Sequence, residues 1–119
     1  MTELLSQLKT EFSKYRMTFG SELELQNQIA EILTRAGIAH QREHVLSPED
    51  RPDFLVQTIA LEVKVGGSIN SHLRQMQRYN RHATVAGTIL ICTKPFGQMM
   101  PETLAGKPIA SINVGGNRL

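Results

Sequence analysis

The chain has 119 residues, 40% of them hydrophobic and 20% charged, with a net charge of +2. That suits one globular domain with one core, and the slight positive balance is compatible with an anionic partner without requiring one. No apolar run is long enough to span a membrane and no secretory pattern opens the chain, so a cytoplasmic protein in a reducing compartment, with no membrane partner, is expected.

In chain order, TELLSQLKTEFSKYR sets Leu4, Leu5, Leu8, Phe12 and Tyr15 at helical spacing and predicts a first amphipathic helix, broken by MTFG. Residues 1–19 read as an N-terminal helical extension. The core is expected over 20–114, with a tail at 115–119. Ser21 followed by Glu24 is a capping-box pattern, and it opens a second helix with an apolar stripe of Leu25, Ile29, Ile32, Leu33 and Ala36, closed by Gly37. IAHQREHVL is a weakly patterned strand and SPEDRP a loop. DFLVQ and IALEVKV are two short strands. After the break GGSIN, a third helix is expected from about Ser71 to Ala83. GTILICT reads as a buried strand holding the single cysteine, Cys92, as a buried free thiol. KPFGQMMPE is a loop followed by a helical turn, KPIASINV a last strand, and GGNRL a tail. The order α-α-β-β-β-α-β-β predicts an α/β (α+β) fold with a mixed central sheet flanked by helices.

Three charged residues need an explanation. In RPDFLVQTIALEVKV, Asp53, Glu62 and Lys64 interrupt an apolar hairpin, and charge beside a core is costly unless paired or solvated. Residues two apart on a strand share a face, so Glu62 and Lys64 point together, opposite Leu61, Val63 and Val65. A two-residue loop at Gln57 and Thr58 sets Val56 against Ile59 and Asp53 against Glu62, although Gln-Thr is a poor choice for a tight turn. Two opposed carboxylates repel, and a divalent cation between them removes that cost. Mg²⁺ is content with one or two carboxylates plus water and substrate phosphate. Lys64 on the same face can activate water or stabilise charge developing on phosphorus, which is the equipment for phosphodiester hydrolysis. Pro-Asp alone is a common turn and Glu-Val-Lys alone an ordinary half-exposed strand; the weight lies in their combination at hairpin spacing.

PD, eight residues, then EVK resembles the PD-(D/E)xK nuclease superfamily. QMQRY, from Gln75 to Tyr79, is similar to the glutamine–tyrosine motif of its RecB-type members. The resemblance covers about residues 20–93 and implies a restriction-endonuclease-like core. It also implies Mg²⁺ (with Mn²⁺ able to substitute) on Asp53 and Glu62, Lys64 assisting the chemistry, and Gln75 as a further active-site residue. The superfamily adds a glutamate on the preceding helix, for which Glu22, Glu24 and Glu31 are candidates. At about 100° per residue, Glu22 falls within roughly 35° of the stripe centre, which favours it as the third acidic ligand. Glu24, with a capping role available, is held in reserve. SELELQNQIAEIL also resembles VRR-NUC and related phage-type members, with a glutamate four residues before the glutamine Gln26. A phage or prophage origin is one implication.

Arg74, Arg78 and Arg81 recur at helical spacing beside Gln75 and Tyr79. They form a stripe suited to phosphates, or equally a solvated face. Tyr79 is grouped with them as a nucleic-acid contact. The histidines His40, His44, His72 and His82 have no zinc spacing and read as surface or rim residues. The expectation is a Mg²⁺-dependent nuclease, with DNA the favoured substrate from the resemblance. The alternatives are a nucleic-acid-binding module that does not cut and a subunit that needs a partner. So small a chain also fits a homodimer, with the first helix either its candidate contact or simply a cap on the core.

Overall fold

Leu61 and Val63 share one face of the strand Ile59–Lys64, while Ala60 and Glu62 share the other, and this alternation decides where the helices go. The computed structural model describes residues 1–115. It has three helices, α1 (Thr2–Ser13), α2 (Glu22–Arg35) and α3 (Ile69–Asn80). Six strands, β1 (Gln41–Arg42), β2 (Phe54–Val56), β3 (Ile59–Lys64), β4 (Gly87–Cys92), β5 (Thr103–Leu104) and β6 (Lys107–Asn113), form one mixed sheet in the order β1-β2-β3-β4-β6-β5. The β2–β3 pair is antiparallel, whereas β3–β4 and β4–β6 are parallel. The expected tail at 115–119 lies outside the described residues apart from Gly115.

Helices α1 and α2 lie on one face. Leu8, Phe12, Leu25, Ile29 and Leu33 pack with Leu61, Val63, Ile89 and Ile91 in one apolar cluster. Leu8 and Phe12 are fully buried, each contributing about 1.5–3 kcal/mol by burial. The first helix therefore caps the core with Leu8 and Phe12, with Leu4 and Leu5 partly buried against the same cluster. On the opposite face α3 sets Met76 against Leu90, Cys92 and Ile109, and Tyr79 against Ala60 and Val85. Cys92 is a buried free thiol, and burial raises its pKa. Among the described residues no helix is long and apolar enough to cross a membrane.

Several boundaries differ from expectation, each for a local reason. Helix α1 stops at Ser13, and the chain beyond it carries Met17 into the core. The strand expected over IAHQREHVL shrinks to two residues because Glu43 takes a left-handed φ of 54°, which a strand cannot continue. Helix α3 begins earlier than expected, capped by Ser68, whose hydroxyl accepts from the Ser71 N–H. The loop before the last strand contains a 3₁₀ turn, Gly97–Met99, and then β5, which pairs with β6 through a tight turn with positive φ at both Ala105 and Gly106.

Candidate active site

The hairpin register is the expected one: Val56 pairs with Ile59, Leu55 with Ala60 and Phe54 with Leu61. The turn works because Gln57 adopts a φ of 55°, a conformation more often supplied by glycine or asparagine. One step beyond the ladder, Asp53 lies across from Glu62. The Asp53 Oδ2 accepts from the Val63 N–H at 2.7 Å and its Oδ1 accepts from the Gln26 amide at 3.1 Å. Gln26 thus reaches from α2 to hold the aspartate. Glu62 is 4% exposed; its Oε1 accepts from the Tyr79 hydroxyl at 2.8 Å and its Oε2 lies 3.2 Å from the Lys64 ammonium. The Asp53 backbone N–H also bonds the Glu62 carboxylate, and the ionised oxygens of the two acids still have lone pairs to offer a ligand.

Electrostatics set these acids apart from surface carboxylates. Burial first, then the neighbouring charge of Glu62, pushes the Asp53 pKa up from 3.8 to about 7, with Glu22 adding a smaller push. Burial also raises Glu62, against the opposing pull of Lys64 and Tyr79. Burial and the Glu62 charge hold the Tyr79 phenol far above its ordinary range, so it remains a hydrogen-bond donor. Two partly desolvated acids facing each other beside one ammonium are an arrangement that a divalent cation would relieve. Their donor set, hard oxygens with open lone pairs, fits Mg²⁺ or Mn²⁺.

Among the described residues, no three His, Cys, Asp and Glu side chains stand close enough to hold a metal ion together. The third acidic ligand expected from the sequence is Glu22. It sits exposed at the first turn of α2 and acts on Asp53 through its charge. Glu24 is occupied elsewhere: its Oε2 accepts from the Gly20 N–H at 2.8 Å, and its own N–H donates to the Ser21 hydroxyl at 3.1 Å. Glu22→Gln is thus expected to lower any Mg²⁺-dependent cleavage while leaving the melting temperature nearly unchanged. Glu24→Gln, which keeps an acceptor for Gly20, should alter neither; strong loss of cleavage in Glu24→Gln alone would move the helix glutamate to position 24.

The third helix needs two corrections. Tyr79 is 1% exposed and bonded to Glu62, so its hydroxyl positions the glutamate rather than reaching out to a phosphate. Tyr79→Phe removes the donor from a buried carboxylate and should cost about 1–3 kcal/mol at neutral pH, read by denaturant unfolding; an unchanged midpoint would show that the bond contributes nothing. Arg78 is already engaged. It forms an ion pair with Asp50 and donates to the Glu49 carbonyl at 2.9 Å. Asp50 also binds His82 at 2.8 Å. Burial raises the Asp50 pKa, but the bonds from His82 and Arg78 outweigh it and hold the carboxyl below its ordinary range. Arg74 and Arg81 are exposed and, among the described residues, their side chains have no partner. Gln75 is partly exposed and lines a cleft with Tyr79, without a bond to either acid or to Lys64. The histidines are not all surface groups. His72 is buried, with its Nε2 2.9 Å from the Gly66 carbonyl and its ring edge-on to Phe96.

Compared with family models, curated proteins and solved structures, the chain gives no match in any of the three.

Proposed function

We propose that this chain is a divalent-cation-dependent nuclease of the PD-(D/E)xK type, hydrolysing phosphodiester bonds, with DNA the favoured substrate. The observation that carries this reading is the Lys64 ammonium 3.2 Å from Glu62, on a hairpin where Asp53 faces Glu62 and has its pKa raised to about 7. Ion pairs on a strand are common, but a second, partly buried acid with no cation of its own is not what stability alone selects.

Asp53 and Glu62 would hold the cation through their free lone pairs. Mg²⁺ or Mn²⁺ bound there supplies Lewis-acid charge and an acidified water. Gln26 and the Val63 N–H fix Asp53, while Tyr79 fixes Glu62, so neither carboxylate must be reoriented when substrate arrives. Lys64 can turn its remaining N–H donors toward the non-bridging phosphate oxygens, where negative charge grows as water attacks in line. Gln75 stands at the cleft mouth, within the same region as Tyr79.

The test is a cleavage panel of end-labelled DNA and RNA (single strands, duplexes, flaps and junctions) with Mg²⁺, Mn²⁺ or EDTA. Cleavage of at least one substrate that stops in EDTA supports the reading. Persistence of cleavage in EDTA, or nucleic-acid binding with no cleavage in either metal, would overturn it; the latter outcome would leave a binding module. Charge removal at Arg74 and Arg81 should lower the slope of log affinity against log salt by about one unit for each phosphate no longer neutralised. Arg78→Ala should act on stability instead, because its partner is Asp50. An unchanged slope in the Arg74/Arg81 variant would make those two arginines a solvated face.

A further inference from the structure

A cleft of about 370 Å³ opens between the loop at 45–51 and α3. Its volume is at the small end of ligand sites, large enough for one nucleotide-sized group and far too small for a duplex. Its link to the acids runs through its wall. Tyr79, in its wall, donates to Glu62, and Arg51, also in its wall, stands two residues before Asp53.

The loop that forms the outer wall is built as a rigid element. The Asp50 carbonyl accepts from the N–H of Leu46 at 2.9 Å and of Ser47 at 3.2 Å, and the Asp50 carboxylate, 8% exposed, is clamped by Arg78 and His82. Leu46 packs against the cluster of Ala60, Tyr79 and Val85. A wall fixed in advance loses little freedom when a ligand enters. The lining mixes apolar and polar groups. Val45, 61% exposed, and Pro48 offer apolar surface for a base, while Ser47, Glu49 and Gln75 offer donors and acceptors for its edge. The Arg51 guanidinium lines the cleft with no partner among the described residues, and is open to a phosphate. Glu49, also in the lining, disfavours a second phosphate but can accept from an exocyclic amino group.

We infer that this cleft seats one unpaired nucleotide next to the scissile phosphate, so that the substrate is a single strand or a duplex with an unpaired end. A base inside a duplex is stacked and paired on its edge, and must be extruded to enter such a space. The inference rests on the nuclease reading for the word scissile, but its test does not require cleavage.

The experiment is fluorescence anisotropy with labelled DNA in EDTA: a single strand, a blunt duplex of the same sequence, and that duplex with a short overhang. The single strand and the overhang should bind the wild type at least about tenfold more tightly than the blunt duplex. Arg51→Ala with Val45→Ser, both exposed positions in the cleft wall whose fold is checked by circular dichroism, should erase most of that preference while leaving duplex binding near its original level. Equal affinity for all three ligands, no binding to any, or a preference untouched by the double variant would overturn the inference. Selective binding by a wild type that never cuts would sink the nuclease reading and leave the nucleotide seat standing.

Discussion

Lys64→Ala should lower Mg²⁺-dependent cleavage by about a thousandfold or more while binding DNA nearly as well as the parent. The ammonium is 3.2 Å from Glu62 and is the nearest cation to the two acids in the hairpin. Its removal takes away the one fixed positive charge aimed at the region where a phosphate would gain negative charge. Binding depends mainly on cations farther out, so the loss should fall on the chemical step, seen under single-turnover conditions with enzyme in excess. Lys64→Arg keeps charge but changes its shape from a point to a fork, and should recover only a part. Removing Lys64 also leaves Glu62 with Tyr79 as its remaining side-chain partner, so a moderate stability loss is expected alongside. Normal cleavage by a folded Lys64→Ala protein would remove Lys64 from the chemistry.

Asp53→Asn should do the opposite to the metal-free protein and stabilise it. The Asp53 pKa is raised from 3.8 to about 7 on folding. A raised carboxyl means that the folded chain holds a proton which the unfolded chain has released. Stability therefore falls as pH rises from about 4 to about 7, and above that window the full cost is present. Asparagine keeps the shape without the charge. Its oxygen can accept from Val63, and a flipped Gln26 amide can accept from its nitrogen. At about pH 8 the variant should be more stable by about 1 kcal/mol, discounted because Asp53 is only partly buried, with a much flatter pH profile below. Several millimolar Mg²⁺ should raise the melting temperature of the wild type by mass action and do far less for Asp53→Asn. Equal Mg²⁺ shifts in the two proteins would mean that Asp53 is no ligand.

What the amino-acid order makes legible is local. Strand alternation in IALEVKV fixes the side of Glu62 and Lys64, and the short loop fixes the register against Asp53. Ser21 and Glu24 announce the start of α2 because capping uses residues three apart. The role of Tyr79 is not legible because four-residue spacing puts it beside Gln75 but cannot say which of the two turns inward; only packing against Ala60 and Val85 decides. Arg78 looks like a phosphate ligand because its partner, Asp50, is 28 residues away in sequence. The Asp50–His82 pair is equally remote, at 32 residues. Strand β5 escapes sequence reasoning because two residues carry no periodicity, and its turn uses Ala105, which signals nothing by composition. The buried Asn80, whose side-chain oxygen accepts from the Thr88 hydroxyl at 2.7 Å, looks in the sequence like an ordinary helix end. The one faint signal is Gln26, four residues after Glu22, which holds Asp53 in the folded chain.

Titration of Mn²⁺ into the metal-free wild type, Asp53→Asn and Glu62→Gln, with free ion read by electron paramagnetic resonance, tests whether the two acids form a cation site. The wild type should take up Mn²⁺ with an affinity that rises as pH climbs toward and past the Asp53 pKa of about 7, because the carboxyl must lose its proton to bind. Mg²⁺ should compete for the same site, and each variant should bind at least about tenfold more weakly. Uptake that is equal in all three proteins, or absent from the wild type across the pH range, would contradict a metal centre at Asp53 and Glu62.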